Sequence, residues 1–147
     1  MELSTARLYV AEPNPRYLTR PPLVVDCSLL AALHFNEPER GAAEQRLAQH
    51  ALHAPKLLDH EMVQVGLTKL KRGEAPIAVL EGLTDYRAQA IQLHDTDPMG
   101  QFELGQRYRL SAYDAAYLWL AATLRAPLAT FDKRLAEAAQ QHLKTLD

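Results

Sequence analysis

The sequence predicts an α/β protein in which a mostly parallel sheet is covered by helices on both faces. Short apolar runs of strand length alternate along the chain with longer segments that have helical periodicity and capping or helix-breaking residues at their ends. The apolar runs are continuous, which is typical of parallel strands buried on both faces. Strands and helices that alternate in this way favour a layered α/β architecture.

The first half of the domain begins with a short apolar run that ends in Asp26. A helix follows and is broken before Pro38, which itself suits the first turn of the next helix. Gly73 follows a third helix at the C′ position, where glycine is favoured. The elements predicted here are strands at 23–25 and around 53–55, and helices at 28–35, 38–50 and 57–72.

The second half contains the clearest helix signals. Asp97-Pro98 reads as an N-cap followed by proline in the first turn, and Ser111 reads as the N-cap of the following helix. Ala126-Pro127 ends that helix, because proline disfavours helical geometry at the residue before it. The elements predicted here are helices at 76–86, 98–107, 112–125 and 133–141, and strands at 90–93, 128–130 and, at an edge, 143–146.

The 147 residues suffice for one domain, which we place at residues 23–147. Residues 1–22 contain four prolines and at most a short strand at residues 6–11, so we expect an arm that lies on the domain or on a partner. A partly ordered tail is the alternative.

Composition excludes several functional classes. The net charge of −2 provides no general basic field for nucleic acid, and the single cysteine, Cys27, excludes an internal disulfide. No run approaches transmembrane length, and the N-terminus lacks the apolar core of a signal peptide. We therefore expect a cytoplasmic protein without membrane association.

Four acids occupy positions that could form one site. Asp26 and Asp132 each follow a predicted strand, and the carboxyl ends of parallel strands share one edge of a sheet. Glu61 lies on a largely apolar helix face, which is an unusual place for a carboxylate. Asp114 opens a helix that returns toward a strand, so topology alone does not place it.

Each acid also has a local explanation. Asp26 and Asp132 are favoured N-caps, and Asp114 has capping-box spacing from Ser111. Glu61 can pair with a buried cation. Together, however, these carboxylates would repel one another and raise their pKa values unless a cation lay between them. Oxygen ligands suit Mg²⁺, or Mn²⁺, and a metal of this kind supports phosphodiester hydrolysis.

Three segments resemble the successive motif blocks of PIN-domain proteins, and especially the VapC-like ribonucleases of bacterial toxin–antitoxin pairs: LVVDCSLLAALHFNEP, PKLLDHEMVQVGL and LSAYDAAYLWLAATLRAPLATFDKRLAEAA. The resemblance runs from residue 23 to the end. It implies a three-layer α/β/α sandwich, a Mg²⁺-dependent endoribonuclease site, a cognate antitoxin protein and a homodimer. Carried over by motif, the site acids are Asp26, Glu61, Asp114 and Asp132, and the supporting hydroxyls are Ser28 and Thr130.

Two features depart from the family pattern. Gln64 stands where the family often has asparagine, three residues after the middle acid. Residues 1–22 are an addition, because the family usually starts almost directly at the first strand. The resemblance therefore leaves the surroundings of Glu61 and the role of the arm open.

Other signals point less clearly to function. A zinc site formed by His50, His53 and His60 would need another ligand and better geometry, and Cys27 has no evident base to activate it. No glycine-rich phosphate loop appears. The aromatic residues that could stack on bases are Tyr113, Tyr117 and Trp119, although a place in the core is the better explanation for Trp119, which lies in an alanine-rich helix.

Several cations could contact an RNA backbone, although a solvated surface is the ordinary explanation for such residues. Lys133 and Arg134 are the best placed, because they flank Asp132. The others are Lys69, Lys71, Arg72, Arg107 and Arg109.

These observations give three hypotheses. The first is a Mg²⁺-dependent endoribonuclease in which Asp26 and Asp114 hold the metal most directly, while Asp132 and Glu61 complete the acidic pocket. The second is a binding module of the same fold with a weak or lost nuclease, acting through protein partners. The third is a nuclease for DNA or for particular nucleic-acid structures, which would use the same chemistry.

Overall fold

A four-stranded, entirely parallel sheet forms the centre of the computed structural model, which describes residues 20–146 together with residues 8, 9 and 11. The strand order is β3-β2-β1-β4. The strands are β1 (Pro22–Val25), β2 (Ala51–Pro55), β3 (Ile91–His94) and β4 (Leu128–Ala129). The predicted parallel sheet is thus confirmed, while most of the predicted arm, with its strand at residues 6–11, lies outside the described residues.

Seven helices connect and cover these strands within the described part of the chain. They are α1 (Cys27–His34), α2 (Arg40–Leu47), α3 (Leu57–Lys71), α4 (Pro76–Ala88), α5 (Pro98–Tyr108), α6 (Ala112–Leu124) and α7 (Lys133–Leu143). The predicted helices lie at the same places, with ends displaced by at most a few residues. Gly73 has a φ of 87° immediately after the third helix ends, as its predicted C′ role requires.

The helices form two groups around the sheet. Helix α6 packs against β1, β2 and β4 and is flanked by α5 and α7, while α1 contacts α2, α3 and α4. The core between them includes the whole apolar part of β1 and most of α6. This arrangement gives the three-layer α/β/α sandwich that the family resemblance implies.

Side-chain caps fix where several helices begin. Each cap accepts a hydrogen bond from a backbone N–H in the first turn, which satisfies a donor that the helix itself leaves unpaired. The pairs are Asp26 with Leu29 at 3.3 Å, Asp97 with Gly100 at 3.1 Å, Ser111 with Asp114 at 3.1 Å and Asp132 with Leu135 at 3.1 Å. The caps predicted from the sequence are therefore present.

The edge strand predicted at residues 143–146 is wrong. Helix α7 continues through Leu143, and the chain then turns, with the N–H of Thr145 donating to the carbonyl of His142 at 3.0 Å. Nothing breaks the helix earlier, and the next residues satisfy their backbone groups locally. Consequently β4 is an edge of the described sheet.

The order of the strands positions the site. Successive strands extend the sheet from β1 to β3 in one direction, and β4 then lies on the other side of β1. Ligands of open α/β sheets collect at such a reversal, outside the carboxyl ends of the strands. Val25 pairs with Ala129 in this register, so Asp26 and Thr130 leave the sheet side by side.

No helix in the described residues is long and apolar enough to cross a membrane.

Candidate active site

Asp26 is the most enclosed of the four acids, with 5% of its surface exposed. The Ser28 hydroxyl donates to its Oδ1 at 2.6 Å, and the Thr130 hydroxyl donates to its Oδ2 at 2.5 Å. Burial raises the pKa of this carboxyl, the hydrogen bonds from Ser28, Thr130 and Leu29 oppose that effect, and the negative charge of Asp132 adds to it. The carboxylate is therefore held in one orientation in surroundings that resist its charge.

The same two hydroxyls also fasten the loop after β4. Ser28 Oγ accepts from the N–H of Phe131 at 2.9 Å, and Thr130 Oγ1 accepts from the N–H of Asp132 at 2.9 Å. Each hydroxyl thus joins Asp26 to the backbone that carries the second strand-end acid. The relative position of Asp26 and Asp132 is fixed by these contacts as well as by the sheet register.

Glu61 extends toward the same region from α3. The Tyr117 hydroxyl donates to its Oε1 at 2.7 Å. Burial raises the pKa of Glu61, the bond from Tyr117 lowers it, and the charges of Asp26 and Asp114 raise it further. Glu61 is therefore positioned by a tyrosine of a helix on the other side of the sheet rather than by a buried cation.

Tyr117 is the functional residue that the sequence did not identify correctly. With 1% of its surface exposed, it is a core residue and cannot stack on a base from solvent. Its contact with Glu61 joins residues 56 positions apart, and no local pattern marks such a pair. The only signal in the sequence was a tyrosine on the inner face of an otherwise apolar helix.

Asp114 lies in the first turn of α6. Burial raises the pKa of its carboxyl, and the charges of Asp132 and Asp26 add to the increase. The guanidinium of Arg134 and the hydrogen bond with Ser111 act in the opposite direction. Because each acid acts on, or is acted on by, the charge of at least one other, the structure brings all four predicted acids into one electrostatic group.

This group is open rather than a closed cage. Within the described residues, no three or more His, Cys, Asp or Glu side chains could hold a metal ion by themselves. Mg²⁺ usually binds one or two carboxylates and keeps several waters. A loose set of carboxylate oxygens therefore matches the coordination preference of Mg²⁺ better than that of zinc. The donor chemistry therefore suits a hydrated, hard cation.

A cleft lined by several arginines, here called the basic cleft, includes Arg134, whose charge lowers the pKa of Asp114. It has a volume of about 380 Å³ and is lined by Arg107, Arg109 and Arg134, among others. Arg134 donates from Nη2 to the carbonyl of Arg109 at 2.5 Å, so its guanidinium is held at the wall of the cleft. Lys133, by contrast, is 90% exposed and lies 3.9 Å from Glu137.

The histidines considered for zinc have other neighbours. His53 Nδ1 lies 2.9 Å from His94 Nε2 on the adjacent strand, and His50 Nδ1 lies 2.9 Å from the carbonyl of Ala48. Burial raises the pKa of Cys27 to about 12, so its thiol is a poor nucleophile at neutral pH. Trp119 packs against the core.

A larger recess of about 740 Å³ lies along the outer side of β4, between α2 and α7. Its lining is mainly apolar and contains none of the four acids. The chemistry of the site is therefore separate from this recess, although Thr130 borders both.

Known proteins share this arrangement of sequence and fold. A family model described as PIN domain matches residues 23–141. A VapC ribonuclease of Mycobacterium bovis is 35% identical over 123 residues, which cover 80% of this chain and 91% of the relative. The crystal structure of PAE2754 from Pyrobaculum aerophilum is similar with a TM-score of 0.65 and 19% identity, over 86% of this chain and 89% of that chain. Mycobacterium tuberculosis VapC20, described as a sarcin–ricin loop cleaving toxin, has a TM-score of 0.58 and 13% identity, over 79% of this chain and 94% of that chain.

Proposed function

Because the chain belongs to the PIN-domain family and has VapC ribonucleases among its relatives, we propose that it is an endoribonuclease and the toxin of a toxin–antitoxin pair. The observation that carries this proposal is the convergence of four carboxylates, from four parts of the chain, where β1 and β4 end. Burial and mutual repulsion raise the pKa of three of these carboxyls, and a bound cation would relieve that repulsion. The substrate would be the phosphodiester backbone of RNA.

The proposed cofactor is Mg²⁺, with Mn²⁺ as a substitute. Asp26 and Asp114 would hold it most directly, and Asp132 and Glu61 would complete the acidic pocket directly or through water. When bound, such an ion lowers the pKa of a coordinated water and offsets the charge that develops on the phosphate.

The protein's own residues would prepare the site for this chemistry. Ser28 and Thr130 hold the Asp26 carboxylate in place, so that it need not reorient when the substrate arrives. Tyr117 does the same for Glu61. Arg134 and the basic cleft would contact the RNA backbone, with the charge needed to compensate for an acidic pocket.

Cleavage of a fluorescently labelled single-stranded RNA tests the proposal. We expect cleavage with Mg²⁺ or Mn²⁺, none with EDTA, and none by Asp26→Asn even though that variant stays folded. The matched control is Asp85→Asn, an exposed acid on α4, which should cleave like the wild type. Undiminished cleavage by Asp26→Asn would contradict the assignment of the site.

The two alternative functions predict different results in the same assay. A DNA nuclease would cleave the DNA oligonucleotide of the same sequence and spare the RNA. A binding module without nuclease activity would cleave neither, and calorimetric titration with Mg²⁺ or Mn²⁺ would show no binding although all four acids are present.

The proposed partners are an antitoxin protein and a second copy of the chain. Toxicity on expression that Asp26→Asn relieves would support the toxin role. Size-exclusion chromatography with light scattering would test the homodimer.

A further inference from the structure

A second recess adjoins the acids on the side of Glu61. It has a volume of about 580 Å³ and lies where the start of α1 meets the first turns of α3 and α6. Glu61 itself lines this recess, so one of the four acids belongs to its wall. The other lining residues are Cys27, Leu57, His60, Gln64, Val65 and Tyr113.

The walls of the recess combine apolar and polar surfaces. Leu57 and Val65 are partly buried and pack against the core, as does Cys27, whose Sγ lies 3.7 Å from Met62 Sδ. On the rim, His60 and Gln64 are exposed and stand four residues apart, hence on one face of α3. A flat apolar ligand with a polar edge would match this distribution.

Tyr113 provides the aromatic surface that such a ligand needs. It is 61% exposed and directly precedes Asp114, one of the acids, in the first turn of α6. Bases of single-stranded nucleic acid stack on exposed aromatic rings of this kind. Tyr117, one turn later, is buried and fills a different role.

We propose that this recess is a nucleobase subsite in which Tyr113 stacks on an unpaired base next to the cleaved phosphate while His60 and Gln64 contact its hydrogen-bonding edge. This inference rests on the proposed ribonuclease function and extends it to sequence preference. Single-stranded RNA is commonly recognised in this way, because its unpaired bases expose both a face and an edge. Imidazole and carboxamide groups can each donate and accept, as reading a base edge requires.

The first experiment compares cleavage of an RNA pool with randomised positions. The wild type should prefer one base at a fixed position beside the cut. Removing the stacking surface in Tyr113→Ala should lower kcat/KM by about 5- to 150-fold and flatten that preference. Tyr113→Phe should keep both properties, and His60→Ala and Gln64→Ala should change which base is preferred.

Phe102→Ala is the matched control, since Phe102 is also an exposed aromatic residue but lies on α5 outside the recess. It should cleave with the rate and preference of the wild type. If Tyr113→Ala did so as well, the subsite would be wrong while the ribonuclease function stood.

The second experiment separates the subsite from the cleavage reaction. Saturation-transfer NMR of the metal-free protein with AMP, GMP, CMP and UMP should show transfer to base protons in the wild type and in Asp26→Asn, and not in Tyr113→Ala. Transfer without any RNA cleavage would overturn the proposed function and leave the subsite standing. Transfer that is absent from the wild type, or unchanged in Tyr113→Ala, would overturn the subsite.

Discussion

Tyr117 donates a hydrogen bond to Glu61 at 2.7 Å, which ties the acid of α3 to the central helix of the opposite layer. The tyrosine is buried and the glutamate is half-buried. Water cannot fully replace either partner, so losing this hydrogen bond costs free energy of folding. The bond also opposes the effects of burial and of neighbouring charge, which raise the pKa of Glu61. One side chain thus contributes both to packing and to the charge state of the pocket.

Tyr117→Phe should therefore change both stability and pH dependence. We expect the free energy of unfolding to fall by about 1–2 kcal/mol and the acid limb of the pH–rate profile to move to higher pH, because the pKa of Glu61 rises further. Urea denaturation and cleavage rates between pH 5 and pH 9 measure these effects. The control is Tyr86→Phe, which removes a bond of 2.6 Å to Asp59 and should affect stability without moving the profile.

Thr130→Val should impair the site although valine is close to threonine in size and shape. The change leaves Asp26 Oδ2 and the N–H of Asp132 without their present partner, at a cost of about 1–3 kcal/mol in unfolding free energy, and slows cleavage. Thr130→Ser should retain most of the unfolding free energy and most of the cleavage rate. Thr84→Val, on the exposed side of α4, is the comparison, and equal rates for the two valine variants would contradict the positioning role.

Asp26→Asn should stabilise the metal-free protein at neutral pH while abolishing cleavage. The pKa of Asp26 is raised in the folded state, so the folded protein binds more protons than the unfolded chain between its ordinary pKa of 3.8 and the folded value. Stability is accordingly lost as the pH rises through that window, and the charged form bears the full cost at neutral pH. We expect the Tm to increase by a few degrees in EDTA at pH 7.

This stabilisation should depend on pH and on metal. It should shrink as the pH is lowered toward 4, because the wild-type carboxyl then becomes protonated and loses its unfavourable charge. Added Mg²⁺ should raise the Tm of the wild type more than that of Asp26→Asn. Scanning calorimetry with EDTA and with Mg²⁺, at several pH values, measures these changes in Tm. An equal increase in Tm with Mg²⁺ for both proteins would argue against Asp26 as a metal ligand.

Arg134→Ala should weaken RNA binding more than Lys133→Ala does. Arg134 is held by the carbonyl of Arg109 beside the acids, whereas Lys133 is almost fully exposed and only loosely paired. We expect affinity to decrease for all RNA sequences alike, with the slope of log K against log salt reduced by about 1. Fluorescence anisotropy of labelled RNA, measured in an Asp26→Asn background, gives the affinities of the two variants. Equal salt slopes for Arg134→Ala and Lys133→Ala would contradict the special role of Arg134.

Gly82→Ala should destabilise the contact between α4 and α1. A Cβ at this position would lie 2.7 Å from the carbonyl oxygen of His34 and 2.7 Å from Cδ1 of Phe35, so the helices would have to separate. We expect a loss of about 1–3 kcal/mol in unfolding free energy. Gly41→Ala, with nothing within 4 Å of the added carbon, should instead gain up to about 1 kcal/mol.

Local rules were sufficient for much of the fold. Strands, caps and breakers depend on neighbouring residues, so the sequence alone located β1, β4 and the capped starts of α5 and α6. The rule that parallel strands share a carboxyl edge also predicts that Asp26 and Asp132 lie close together. Asp114 could not be placed in this way, because its position depends on how α6 crosses the sheet.

What the sequence could not supply was long-range packing. The partner of Glu61 depends on the approach of α3 and α6, and the edge strand predicted at residues 143–146 failed because α7 had no residue that stopped it before Leu143. The recess beside Tyr113 likewise forms from three helices that are distant in sequence. Such features follow from tertiary contacts that no periodicity records.

The bond between Asp26 and Thr130 joins residues 104 positions apart, and this separation has a consequence for synthesis. Translation delivers Asp26 first, and Asp114, Thr130 and Asp132 follow only much later in the chain. A nascent or truncated product that ends before Leu128 lacks β4 and the loop that fastens Asp26. A chain proposed to cut RNA therefore cannot assemble its pocket until β4 and the loop after it have been synthesised.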